Sequence, residues 1–292
     1  MLSSPEILRL GTGGCTQGRA HRTASQVGVA EKVAGVALIV LVLVAIVSPL
    51  LSPYSPIVPS GAPYLPPGSS GHPFGTDNIG LDLATRIAWG LRTSLFAAVI
   101  VTAVSALCGL GIGLLAGAVG GWLDNALMRI TDLFLAFPAV IVAMAITAAL
   151  GPGLVSSMIG ISLVWWPLYA RLVRGEAART ARSLHVEAAR VAGTRGIRLL
   201  VRHVAPPVLP TVLVTASLDI GAVVMTLAAL SFLGLGAPAP APELGSMAAA
   251  GLPFILTAWW IPVLPGIAVG VIALVFNYAG DGMRSFLRAK GV

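Results

Sequence analysis

The chain has 292 residues, of which 57% are hydrophobic and only 10% charged, with a mean hydropathy of +0.92. A soluble globular protein carries about a quarter charged residues, so this composition excludes an ordinary soluble enzyme, a disordered chain and most nucleic-acid binders. The net charge is +7, and Cys15 and Cys108 lie in unlike settings that define no disulfide framework, so the chain reads as a polytopic all-α membrane protein.

Residues 1–32 lack a continuous apolar run and read as a cytoplasmic tail, not a cleavable signal peptide. A helix needs about 20 apolar residues to cross the hydrocarbon core. Val33–Leu51 meets that need, apolar but for Ser48 and Pro49. The outer segment 52–92 is rich in Pro and Gly up to Gly71. Beyond it, Leu83, Ile87 and Leu91 recur at helical spacing opposite Asp82, Arg86 and Gly90. An amphipathic helix on the outer surface fits this pattern, either meeting a receptor or gating a cavity, or packing as a plug on the spans.

Thr93–Leu123 is the second span, with Gly109, Gly113, Gly117 and Gly121 four residues apart. A glycine face lets helix backbones approach closely, for static packing or for a sliding contact. Leu133–Ala170 holds two spans, about 131–150 and 154–173, separated by Gly151-Pro152-Gly153. Pro138 kinks the third. Asp132 follows Arg129 at helix-neighbour spacing, which suggests a boundary ion pair.

The segment 171–206 carries eight Arg and two Glu among Ala, Val and Leu. Anchoring on anionic lipid explains the charge but not the order Glu187-Ala188-Ala189-Arg190-Val191-Ala192-Gly193. Small residues with a Glu suit a short surface helix that another protein can approach, and Gly193 can end it with positive φ. Pro206-Pro207 should keep helix from running straight on out of the loop.

The fifth span covers about 208–230 and the sixth about 261–280, which makes six helices. Asp219 falls midway along the fifth, where a charge is costly, so it faces protein or water. It either lines a translocation path or is a hydrogen-bonded packing acid. Trp259-Trp260 reads as an interfacial anchor more simply than as a cargo-stacking site. With the N-terminus inside, 16 of the 18 Lys and Arg lie in inner segments and only Arg86 and Arg92 outside. Both termini are therefore expected in the cytoplasm.

Glu187-Ala188-Ala189 with Gly193 six residues after the Glu, between two spans, resembles the EAA loop of ATP-binding-cassette importer permeases. Glu176-Ala177-Ala178 lacks that Gly, having Arg182 instead. His72-Pro73-Phe74-Gly75-Thr76-Asp77, Gly80-Leu81-Asp82 and Trp89-Gly90-Leu91-Arg92-Thr93-Ser94-Leu95 are similar to the corresponding stretch of peptide/nickel permeases of the DppC/OppC type. So are Met128-Arg129-Ile130-Thr131-Asp132, Leu230-Ser231-Phe232-Leu233-Gly234-Leu235-Gly236, Pro265-Gly266 and Asn277 with Gly280-Asp281-Gly282 and Arg284. The chain departs from that pattern at Leu227, where relatives commonly have Glu, and at Leu244, where they often have Trp.

The resemblance covers about residues 33–285 and implies a type I ABC importer permease fold with a cytoplasmic coupling helix. Glu187, Ala188, Ala189 and Gly193 would then be the ATPase-coupling residues. It further implies an inner-membrane location, a sister permease (DppB-like), one fused or two separate ATPase subunits using ATP and Mg, and an extracytoplasmic substrate-binding protein. Membrane lipid is the other contact, with no nucleic acid, and di- or oligopeptides are the implied cargo.

Neither lysine stands in a Gly-Lys-Ser/Thr context, and HExxH, CxxC and GxSxG do not occur. No cofactor or metal is expected in this chain, and energy would enter through a partner. A different class, an ion-coupled secondary carrier using Asp219, would need internal repeats, and no clear second copy of any half is present.

Overall fold

The computed structural model describes residue 33, residues 35–48 and residues 50–289, with side chains to 285. The tails 1–32 and 290–292 therefore lie outside the described residues, as do the side chains of 286–289. The elements are α1 (Gly35–Ser48), α2 (Leu83–Val119), α3 (Gly121–Leu135), α4 (Ala139–Leu150), α5 (Leu154–Thr180), α6 (Leu184–Val191), α7 (Gly196–Leu199), α8 (Ala205–Phe232), α9 (Leu244–Gly251) and α10 (Trp260–Ala289). Among the described residues the only β pairing is two isolated bridges, Ser69 with His72 and Thr76 with Asp82.

The glycines of α2 set the central contact. A Cβ on Gly109 would lie 2.3 Å from Tyr169 Cβ, one on Gly113 2.6 Å from Ala170 O, and one on Gly117 2.5 Å from Arg174 O. The contacts step the same way along both helices, so α2 and α5 run parallel with their backbones nearly touching. Gly121 is not part of this stripe: it has φ +65° in the break between α2 and α3, with no neighbouring atom within 4 Å of its Cβ position.

α8 lies antiparallel to α5. Leu235 O, just past its end, accepts from Gly153 N at 3.0 Å and from Ser157 Oγ at 2.9 Å at the start of α5. α10 runs antiparallel to α8 in turn, with Gly221 against Ala273 and Gly280 against Leu218. The starts of α2, α5 and α10 therefore share one end of the bundle with the end of α8. The opposite end carries α6. Val101, Ile161, Val223, Leu227 and Ile272 fill the core between these helices, and Leu41 and Ala45 of α1 pack on its flank. Most other residues of α1 are exposed and apolar, as suits a helix bathed in lipid.

Three of the expected spans are plain by length and apolarity: α2, the continuous helix Gly196–Phe232, and Trp260–Ser285. The third is broken. α3 and α4 meet at 85° across the break that ends at Pro138, so the proline turns the chain outright where a kink was expected. α1 is 14 residues long as described, and α5 carries Arg171, Arg174, Glu176 and Arg179 in its last turns.

Four further expectations change. The helix expected over 83–91 is not a separate surface helix but the first turns of α2, and Arg86 on it is buried. Asp132 pairs with Arg171 of α5, not with Arg129. Pro206-Pro207 does not stop the helix: a π-helical turn at Leu200–Val204 widens the coil ahead of the prolines, whose rings and missing N–H groups are then tolerated in the first turn of α8. Trp260 is buried and donates from Nε1 to Thr76 O at 3.2 Å, so it locks α10 to the segment before α2 and does not stand free as an interfacial anchor.

Candidate functional site

The α6 end is built around one short helix on a firm seat. Val186 and Ala189, three residues apart, turn inward and join Leu114, Val173, Ala177, Leu199 and Val208 in one apolar cluster. α6 thereby joins the apolar cluster that α2, α5 and α8 share, with α7 and the Leu200–Val204 turn as its nearest backbone neighbours. Its other face is open: Glu187, Ala188 and Arg190 are exposed, and so are Leu184 at 84% and Val191 at 91%. Exposed apolar side chains rimmed by charge are typical of surfaces that meet a partner protein or a membrane.

The stop after α6 is a Schellman turn. Gly193 has φ +89°, its N–H donates to Arg190 O at 3.0 Å, and Thr194 N donates to Ala189 O at 3.0 Å. Glycine is favoured at that φ because a Cβ would crowd the backbone. Of the four residues singled out here, Glu187, Ala188 and Gly193 face outward while Ala189 faces the core.

Asp219 is elsewhere, in the middle of α8, and α6 does not approach it. It is half-buried, with the Tyr169 hydroxyl and the Trp165 indole of α5 beside its carboxyl. It faces protein on one side, as an intramembrane acid must.

At the opposite end, the structure brings together a compact polar knot. Asp77 accepts from Ile79 N at 3.0 Å and Leu81 N at 2.9 Å through Oδ1, and from Arg86 Nη1 at 2.7 Å through Oδ2. Asp82 caps α2 by accepting from Thr85 N at 2.8 Å, and its other oxygen lies 2.9 Å from His72 Nδ1. Gly75 and Gly80 have positive φ, and a Cβ on either would lie 2.3 Å from a carbonyl oxygen of the 61–65 stretch. The His72–Asp82 motif is thus a folded clamp over the end of the bundle. Its signal was the density of Gly, Asp and Thr in a stretch with few apolar residues.

The Leu230–Gly236 motif is a helix stop. Gly234 has φ +83°, and Leu235 N donates back to Leu230 O at 3.0 Å. At the α6 end, Arg174 holds Asp124 through two bonds of 3.0 and 2.6 Å, which ties α3 to α5. The two departures are both buried: Leu227 packs in the core and Leu244 lies over Gly90. Among the described residues no group of three His, Cys, Asp or Glu side chains could hold a metal ion.

Residues 109–290 match the family model described as binding-protein-dependent transport system inner membrane component. The chain is 40% identical over 219 residues to the probable D,D-dipeptide transport system permease protein DdpC of Escherichia coli, covering 75% of this chain and 74% of that one. It is 39% identical to the dipeptide transport system permease protein DppC of Alkalihalophilus pseudofirmus, covering 75% of this chain and 72% of that one. Its identity to the glutathione transport system permease protein GsiD of Pectobacterium atrosepticum is 37%, over 76% and 73% of the two chains. Among solved structures, an inward-facing form of the MetNI methionine ABC transporter superposes with a TM-score of 0.55 at 17% identity, over 68% of this chain and 95% of that one. The fold is that of an ABC importer permease, and the chain belongs to the family of binding-protein-dependent transport system inner membrane components.

Proposed function

We propose that this chain is one of two permeases in an ATP-driven importer of di- or oligopeptides. It forms half of the translocation pathway with a sister permease (DppB-like) and crosses the membrane six times with both termini in the cytoplasm. The six-span unit is residues 33–285, flanked by cytoplasmic tails at 1–32 and 286–292. One fused or two separate ATPase subunits bind ATP and Mg, and a substrate-binding protein delivers cargo at the clamp end. The names of the permeases from E. coli and A. pseudofirmus support the peptide cargo.

The observation that carries the coupling role is the two-faced build of α6. Val186 and Ala189 seat it in an apolar cluster shared with α2, α5 and α8, while Leu184, Glu187, Ala188 and Val191 are left uncovered. A helix transmits force only if its seat is stiff and its outer face is free to be gripped. When an ATPase subunit moves, α6 carries the ends of α2, α5 and α8 with it, and the cavity between permeases changes its opening. Asp219 lines that cavity.

The test replaces Glu187 by Lys and Gly193 by Asp in the assembled transporter. Dipeptide uptake should fall at least about tenfold, equivalent to about 1.4 kcal/mol of lost coupling, while the complex still assembles in the membrane. Normal uptake and normal stimulation of ATP hydrolysis in both variants would refute the coupling role.

A further inference from the structure

Asp219 does not stand alone on α8. Thr211, Thr215, Asp219, Ala222 and Thr226 follow at intervals of four, four, three and four, all half-exposed. At 3.6 residues per turn they lie on one narrow face of the helix. Thr215 Oγ1 donates to Thr211 O at 3.0 Å and Thr226 Oγ1 to Ala222 O at 2.9 Å. The Thr215 and Thr226 donors are thus used within the helix, while each hydroxyl oxygen keeps lone pairs able to accept. Lipid gives nothing to such a stripe, and water or a polar solute does.

The carboxyl has a second peculiarity. Tyr169, fully buried, and Trp165 place a hydroxyl and an indole N–H beside it, and neither polar atom completes a hydrogen bond. Both are donors that a carboxylate can accept from. They sit on the protein side of Asp219, which leaves the half-exposed side of the carboxyl to meet a cation.

We propose that Asp219, backed by Tyr169 and Trp165, is a subsite that receives the ammonium group of the cargo on its way through, a free amino terminus or a basic side chain. This rests on the permease reading above and names the chemical class met at that point of the pathway. The threonines above and below make a hydrogen-bonding track along which the group approaches and leaves. A single carboxylate at an open wall attracts without trapping, because water still screens the charge.

The first test needs no knowledge of cargo. Cys15 and Cys108 are replaced by Ser, Thr215 by Cys, and the assembled transporter is reconstituted in proteoliposomes. The thiol is labelled with cationic trimethylammonioethyl methanethiosulfonate or anionic sulfonatoethyl methanethiosulfonate, each rate being divided by that for a free thiol. The cationic reagent should react about tenfold faster, since the carboxylate one turn away attracts one and repels the other. Asp219→Asn should erase that preference, and Asp219→Glu should keep it. Failure of both reagents to label in the resting and the ATP-bound states, or a preference that survives Asp219→Asn, overturns the subsite.

The second test is uptake of the dipeptides Lys-Ala and Ala-Ala against N-acetyl-Ala-Ala. Asp219→Asn should cut uptake of the two free-amine peptides at least about fivefold relative to Asp219→Glu. Equal uptake by both variants overturns the subsite. If the unsubstituted assembly moves no dipeptide yet shows the labelling preference, the subsite stands and only the peptide reading falls.

Discussion

Arg86 Nη1 donates to Asp77 Oδ2 at 2.7 Å, with both side chains less than a tenth exposed. Arg86 closes the first turn of α2 and Asp77 belongs to the clamp before it, so one ion pair joins the irregular segment to the bundle. Breaking a buried pair strands a charge, at about 3–5 kcal/mol. Asp77→Asn should therefore lower the melting temperature of the purified complex markedly. Adding Arg86→Met should recover part of the loss, because no unpaired charge then remains. A double variant that is simply the sum of its parts would show that the pair is not coupled.

Gly109 and Gly111 offer a test of the α2–α5 contact with its own control. A Cβ at 109 would lie 2.3 Å from Tyr169 Cβ and 2.8 Å from Trp166 O, whereas one at 111 meets no atom within 4 Å. Gly109→Ala forces the helices apart and should cost about 1–3 kcal/mol, the usual penalty of overpacking. Gly111→Ala should be neutral or slightly stabilising, since alanine is the better helix former. Thermal unfolding in detergent reads both, and equal melting points would mean that the two helices are not in close contact.

How much of this was legible beforehand follows from how local each signal is. The spans of α2, α8 and α10 were readable because a run of apolar residues needs no partner to be recognised. The stop at Gly193 was readable for the same reason, since positive φ is a property of one residue. The clamp was not: Thr76 reaches Ala62 and Trp260, Asp82 reaches His72, and Ser52 reaches Thr85, contacts that no periodicity announces. Asp132 was assigned to its helix neighbour Arg129 because spacing favours near partners, while the 85° bend and the parallel run of α5 bring Arg171 to it instead. Pro206-Pro207 misled because the rule for proline in an α-helix does not foresee a π turn placed just ahead of it.

The seat and the grip of α6 can be separated by two conservative truncations. Val186 is fully buried and Val191 is 91% exposed. Val186→Ala removes buried apolar surface worth about 1–2 kcal/mol, so it should lower both the melting point and the uptake per ATP hydrolysed. Val191→Ala should leave the melting point of the isolated permease pair unchanged and lower uptake only. Uptake unaffected by Val191→Ala, with ATP hydrolysis still stimulated, would remove this residue from the docking face.

Glu243 is the last buried acid of the clamp end, and its carboxylate serves three donors. It accepts from Gly245 N at 2.9 Å and Ser246 N at 2.8 Å, capping α9, and from Ser94 Oγ of α2 at 3.5 Å. α9 can lie flat on α8 only because Gly245 has no side chain, a Cβ there falling 2.6 Å from Ala228 Cα. The cap fixes where α9 begins, and the glycine fixes how close it lies. Glu243→Ala leaves two amides at the helix start without an acceptor and should cost about 1–2 kcal/mol. Glu243→Gln keeps one carbonyl oxygen and should cost less. Amide hydrogen exchange across residues 244–251 would read the difference directly: faster in Ala than in Gln, and faster in Gln than in the unsubstituted chain. Unchanged exchange in the Ala variant would mean that packing at Gly245, and not the carboxylate, holds α9 in place.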